Sequence, residues 1–138
     1  MGKSLSRFRL EAFRRQAGRC YYCTAPMWLE DAESFAQTHS ITFRAARWLQ
    51  CTAEHLHARC DGGPDSADNI VAACRHCNSK RHWRRKVALS ATAYLRLVRR
   101  RLTQGRWHCA QIMARRIAAV STVAPDPPMH VSQLEGSD

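Results

Sequence analysis

Apolar and polar positions alternate along this chain with helical rather than strand periodicity over most of its length. Phe8, Ala12, Phe13 and Ala17 fall at helical i, i+4, i+5, i+9 spacing, so residues 5–17 read as a helix, and Gly18 supplies its stop. Cys20-Tyr21-Tyr22-Cys23 follows at once, as a tight knuckle rather than an element. A short helix fits residues 29–37, while 41–48 fit a strand or a helical turn equally well. Residues 49–56 read as a first strand of weak propensity. Residues 57–68 hold Gly62, Gly63, Pro64 and several Asp, and read as a loop. A short second strand is expected at 69–72. A helix then opens at Cys74 and runs through Arg75, Asn78, Arg81 and Arg85. Two further basic helices are expected at 90–102 and 107–120, broken near Gly105. Their apolar faces, Tyr94-Leu95-Val98-Leu102 and Trp107-Ile112-Met113-Ile117, read as packing surfaces. Residues 121–138, with Pro125, Pro127, Pro128 and Gly136, read as a disordered tail. No internal repeat is present. The pattern as a whole is α+β and mainly helical.

At 138 residues and 45% hydrophobic composition, the expectation is one domain over 1–120. Its core would lie at about 18–88 and a helical extension at 89–120. No apolar run reaches the roughly 18 residues of a membrane span, so no membrane partner is expected. The N-terminus has basic residues but no apolar h-region, so a cytoplasmic protein is expected rather than a secreted one.

Charge narrows the class of partner. Lys and Arg total 22 against 11 Asp and Glu, a net +11. From Asn69 to Pro125 there is no acidic residue at all, while Arg and Lys recur throughout. A solvated helix face normally mixes both signs, so this one-sided stretch points to a polyanion, nucleic acid above all.

The cysteines number seven, which leaves one unpaired in any all-disulfide scheme. In a reducing compartment metal binding accounts better for paired cysteines. Cys20-x2-Cys23 and Cys74-x2-Cys77 each have the spacing that lets two thiolates reach one tetrahedral ion. The second pair sits where a helix begins, where free N–H groups stabilise thiolate charge. A structural Zn2+ held by Cys20, Cys23, Cys74 and Cys77 is therefore expected. Cys51, Cys60 and Cys109 read as small core residues. A rival ligand set would combine Cys51 and Cys60 with His55 or His57.

Five short features occur in a fixed order: the CxxC knuckle, Ala53-Glu54-His55-Leu56, Asp61-Gly62-Gly63, Asp68-Asn69-Ile70, and Cys74-Arg75-His76-Cys77-Asn78-Ser79-Lys80. Together they resemble the HNH endonuclease family, over Cys20 to about His82. The resemblance implies a ββα-metal fold: a hairpin, a loop and a helix around a divalent ion. Asn69 lies 14 positions after His55 and Asn78 lies 23 after it, which suits a hairpin followed by helical turns. By resemblance His55 is the general base and Asn69 orients it, both counted as catalytic. Glu54 and Asn78 hold a catalytic divalent ion, Mg2+ or Mn2+ above Zn2+, and His82 is a candidate third ligand on the face of Asn78. Two departures stand out. Glu54 replaces the usual Asp, and His57-Ala58 stands where members often have an apolar residue and then Pro. His57 is thus the nearest alternative base.

The implied activity is hydrolysis of phosphodiester bonds in DNA, double-stranded DNA being the expected partner and RNA an alternative. Lys80, Arg81, Arg84, Arg85, Arg99 and Arg100 are the candidate nucleic-acid contacts. Trp83 reads as core more readily than as a stacking ring. His39, His108 and His130 read as structural or solvated. Two other functions use the same features: a non-catalytic zinc module that binds nucleic acid, and an HNH ribonuclease.

Overall fold

The computed structural model describes residues 2–121, and side chains as far as Arg115. Of the tail expected at 121–138, Ser121 closes the last helix and residues 122–138, His130 among them, lie outside the described residues, as do the side chains of Arg116 and Ile117. In chain order the elements are α1 (Lys3–Arg15), α2 (Ala32–His39), α3 (Phe43–Ala46), a 3-10 turn at Arg47–Leu49, β1 (Cys51–His55), a 3-10 turn at Arg59–Asp61, β2 (Ile70–Cys74), α4 (Arg75–His82), α5 (Ala91–Thr103) and α6 (Ala110–Ser121). The fold is α+β and mainly helical, and the hairpin with the helix that follows it forms a ββα core.

Helix α1 ends as expected. Gly18 takes φ +72° and donates its N–H to Phe13 O at 2.9 Å, a left-handed turn that suits glycine. The helix packs across the hairpin. Gln16 seals the outer edge of β2: its amide accepts from Ala72 N at 2.9 Å and donates to Ala72 O at 2.8 Å. Arg15 donates to Ile70 O and Tyr21 N–H to Ala72 O along the same edge. A two-stranded sheet is marginal alone, and here side chains and helices satisfy the edge that would otherwise face water.

β1 and β2 are antiparallel, with Cys51 opposite Cys74, Glu54 opposite Val71 and His55 opposite Ile70. Every residue of β2 is buried, which explains its almost unbroken apolar sequence. The second strand starts one residue later than expected and extends to Cys74, because Asn69 is used in the loop. The segment at 41–48, open between strand and turn, is helical: Thr42 caps α3 by accepting from Ala45 N at 3.2 Å. Helix α4 is shorter than expected. Trp83 turns to ψ 127° and Arg84 to φ +55°. A longer helix would stack Lys80 over Arg84 and Arg81 over Arg85, like-charge pairs four apart that oppose helix. Helix α6 begins at Ala110 rather than Trp107, because Trp107 and His108 turn toward the cysteine cluster.

The core joins Ala12 of α1, Tyr22 and the knuckle cysteines, Ala72–Cys74 of β2, Tyr94, Val98 and Leu102 of α5, and Ile112 and Met113 of α6. Trp83 is the exception to the expected packing: it is 58% exposed. Cys60 and Cys109 are also exposed, so of the three extra cysteines only Cys51 is a core residue.

The loop between the strands is closed tightly around Gly63. A Cβ at this position would lie 1.8 Å from His57 O and 3.0 Å from Ala58 O. Gly63→Ala is expected to lower stability by about 1–3 kcal/mol, the usual cost of overpacking, measured by urea unfolding. Gly62 has open space beside it, although its φ of +88° disfavours a side chain. Gly62→Ala should therefore carry only the backbone cost, about 1 kcal/mol.

Candidate metal and nuclease site

Two centres meet on α4. The first is the cysteine cluster. The knuckle turns through Thr24, at φ +59°, and places Cys20 and Cys23 against Cys74 and Cys77 at the start of α4. All four sulfurs are buried and lie within 4.8 Å of one another. A tetrahedral zinc with bonds of about 2.3 Å spaces its sulfurs at roughly 3.8 Å, and Cys23 Sγ lies 3.9 Å from Cys74 Sγ. N–H donors converge on the sulfurs: Cys74 N on Cys20 Sγ at 3.3 Å, Cys77 N on Cys74 Sγ at 3.4 Å, and Trp107 Nε1 on Cys77 Sγ at 3.2 Å. His108 Nε2 lies 3.2 Å from Cys23 Sγ.

The thiols also oppose one another electrically. Burial works against ionisation of Cys20, yet hydrogen bonds from Cys23, Cys74 and Cys77 hold its thiol well below the ordinary range. Burial, then the hydrogen bonds with Cys20 and Cys23, pushes Cys74 and Cys77 well above it. Four thiolates in one dry shell require a cation, and this cluster fits a structural zinc. Among the described residues no other group of three or more His, Cys, Asp or Glu side chains is placed to hold a metal, so the rival set built on Cys51 and Cys60 does not assemble.

The second centre lies between β1 and the far end of α4. Glu54 is only 1% exposed. Its Oε1 pairs with Arg81 Nη1 and lies 3.2 Å from His82 Nε2, while its Oε2 is buried without a partner. Burial raises the Glu54 carboxyl above its ordinary range, and the charges of Arg81 and then His82 pull it back. One turn before His82, Asn78 donates Nδ2 to Thr52 Oγ1 at 3.0 Å and to Ala53 O at 3.2 Å. That fixes the amide and leaves Oδ1 as its other polar atom. The structure thus sets His82 against Glu54, and Asn78, one turn earlier on α4, against Thr52 and Ala53 of the same strand. A buried carboxylate oxygen without a partner, an amide oxygen and an imidazole are a donor set that suits a divalent ion.

His55 follows Glu54 on β1; its side chain is 12% exposed, with Nε2 at 2.7 Å from Asp65 Oδ1. The hydrogen bond from His55 holds the Asp65 carboxyl below its ordinary range. Asn69 does not touch the His55 ring. Its Oδ1 accepts from His57 N at 2.8 Å, and its Nδ2 donates to His57 O at 3.1 Å and Pro64 O at 3.0 Å. It therefore ties the loop at His57 and at Pro64, the residue before Asp65, and so helps to hold the partner of His55. His57 lies beyond the end of β1 and its side chain is exposed.

Arg81 is not a surface cation. At 2% exposure it bonds Glu54, Tyr22 Oη at 3.2 Å, His55 O at 2.8 Å, Leu56 O at 2.9 Å and Leu89 O at 3.0 Å. A phosphate cannot reach it, so this candidate nucleic-acid contact is corrected to an internal tie. A helix period of 3.6 places Arg81 on the same side as Cys77, toward the core, but the basic run around it hid that. Lys80, Arg84, Arg85, Arg99 and Arg100 are all exposed. Asp65 escaped notice because the loop also holds Asp61 and Asp68 and no periodicity separates them. Tyr22, Trp107 and His108 were missed because their partners are remote in sequence. His108, expected to be structural or solvated, is buried beside a cluster sulfur.

Residues 20–84 match the model of a family described as HNH endonuclease. No curated protein and no solved structure matches the chain.

Two outcomes are expected here. The purified protein should carry one zinc per chain, and either chelation or Cys74→Ser should unfold it, since structural zinc supplies on the order of 10 kcal/mol or more; metal analysis and circular dichroism read both. Arg81→Ala leaves the Glu54 carboxylate buried without its cation and should cost about 3–5 kcal/mol in urea unfolding. Lys80→Ala, at an exposed position, should stay within about 0.5 kcal/mol of wild type.

Proposed function

We propose that this chain, whose residues 20–84 match the HNH endonuclease family, is a metal-dependent endonuclease hydrolysing phosphodiester bonds in DNA, with residues 1–120 as its single functional unit. The observation that carries this reading is that α4 sets His82 against Glu54 and Asn78 against the same strand, while the next residue of that strand, His55, is held by the Asp65 carboxylate. Glu54, Asn78 and His82 would hold the catalytic ion, Mg2+ or Mn2+ on the hardness of the carboxylate and amide oxygens. Such an ion stabilises charge on the phosphate and on the leaving oxygen.

The chain's own residues account for the proton. If His55 donates Nε2–H to Asp65, its Nδ1 keeps the lone pair, so a water proton goes to Nδ1. The resulting imidazolium is stabilised by Asp65, a carboxylate that the same hydrogen bond keeps ionised. Asn69 acts one step removed, by fixing the loop at His57 and Pro64. Exposed Lys80, Arg84, Arg85, Arg99 and Arg100 supply phosphate contacts that carry no sequence information.

One observation favours a second reading. Arg81 already neutralises Glu54, which suits a zinc-bearing binding module without catalysis. A single experiment separates the two. With Mg2+ or Mn2+ the protein should convert supercoiled plasmid to nicked or linear DNA, and His55→Ala should lower the rate by about 100-fold or more, as expected for loss of a general base, while binding is kept. Absence of conversion by zinc-loaded, folded protein in either metal would leave the binding module as the function. Cleavage of RNA but not DNA under the same conditions would assign the activity to a ribonuclease.

A further inference from the structure

A groove on α4 away from Glu54 takes no part in the metal and proton chemistry. Successive residues of a helix turn by about 100°, so Asn78 and His82 share one side while His76, Ser79, Lys80 and Trp83 share another. This second side opens into a cleft of about 450 Å³ lined by Trp48, His76, Ser79, Lys80, Trp83, His108, Cys109 and Ile112. The volume lies within the range of ligand pockets. Its walls are largely aromatic, and its two tryptophans are 46% and 58% exposed at Trp48 and Trp83. His76 packs edge-on to Trp48, ring centroids 6.0 Å apart at 88°, and edge-on to Trp107 at 5.1 Å.

The cleft adjoins two cationic stretches through residues it shares with them. Beyond Trp48 the lining becomes Arg44, Arg47 and Arg75, with the Arg75 guanidinium 5.9 Å from the Trp48 ring centre. Beyond His76 and Lys80 it becomes Arg85, Arg101 and Arg106. The Trp83 ring has Lys80 Nζ at 5.4 Å and the Arg84 guanidinium at 5.2 Å. No acidic side chain lines any of the three stretches among the described residues.

Exposed flat rings between two sets of arginines match one chemistry: unpaired bases stacking in the middle, phosphates paired at the ends. We propose that this groove, from Arg44-Arg47-Arg75 past Trp48 and Trp83 to Arg101-Arg106, binds a single-stranded segment of the DNA substrate. A duplex hides its base faces and has no use for the rings. This assignment deepens the nuclease reading and rests on it for the identity of DNA as substrate. It implies that the protein acts where strands are opened, or opens them itself.

The test is a binding assay on the full chain carrying His55→Ala, with no divalent metal added. The probes are an end-labelled oligothymidylate of about 16 nucleotides and a duplex of the same length. Trp48→Ala and Trp83→Ala should each weaken binding of the single strand about fivefold or more. Duplex binding and the salt dependence of single-strand binding should not change, and the Phe variants should keep most of the affinity. Arg44→Ala with Arg47→Ala should instead lower the salt slope. Both tryptophans are exposed, and an unchanged unfolding midpoint establishes that the variants fold. Ring variants that leave single-strand affinity unchanged or raised overturn the proposal, as they would if residues 122–138 filled the groove. Equal losses on both probes overturn it too. So does a change from dimer to monomer in sedimentation with strand affinity intact, which would make a second copy the occupant. The assay reads no cleavage, so a protein that fails to nick plasmid can still pass it, and one that nicks can still fail.

Discussion

Four sulfur atoms in one buried shell are the constraint on which this molecule hangs. Cys20 and Cys23 follow α1, and Cys74 and Cys77 begin α4, so the cluster binds segments some fifty residues apart in sequence. Thiolates this close repel one another in a dry interior, and only a cation makes their approach favourable. The same shell reaches outward: Trp107 donates to Cys77, His108 lies against Cys23, and Tyr94 donates to Cys77 O at 2.6 Å. The knuckle, α4, α5 and the approach to α6 are therefore placed relative to one point. Since α4 also carries Asn78 and His82, the cluster sets where those side chains stand against β1.

Inside that frame a single carboxylate organises the second centre. Glu54 is surrounded by protein, where a charge without a counter-charge is costly, and Arg81 meets it from α4. The guanidinium has donors to spare and distributes them to the carbonyls of His55, Leu56 and Leu89. The end of β1, the loop after it and the segment after α4 are thereby held to one side chain. A planar fork with five donors can do this, and a lysine ammonium cannot. The unpartnered Oε2 of Glu54 marks what the pair does not satisfy.

Helix α4 thus divides its circumference into three uses. Cys77 and Arg81 face inward, Asn78 and His82 face β1, and His76, Lys80 and Trp83 face the aromatic groove. The eight residues of α4, with Trp83 just after them, serve all three because successive side chains fan out by about 100°. The helix stops at His82, where further growth would stack like charges, and the left-handed Arg84 then directs the chain away.

The amino-acid sequence alone determined much of this. The two CxxC pairs, the helical periodicity of α1 and α5, the glycine-rich loop and the order of Glu54, His55, Asn69 and Asn78 are local patterns, and local patterns survive being read in one dimension. They placed the ββα core and its cysteine site. What the tertiary structure decided was which member of each run of similar residues faces which way. Arg81 lies among Lys80, Arg84 and Arg85, yet is buried because its side of α4 meets Glu54. Asp65 holds His55 while Asp61 and Asp68 do not, because the loop closed by Asn69 and Gly63 brings only Asp65 to the ring. Trp83 is exposed and Tyr22 is buried, though either ring could fill a core. Charge and aromaticity are properties of a residue, but burial and partnership belong to pairs brought together by folding, and those pairs here are separated by up to 85 positions in the chain.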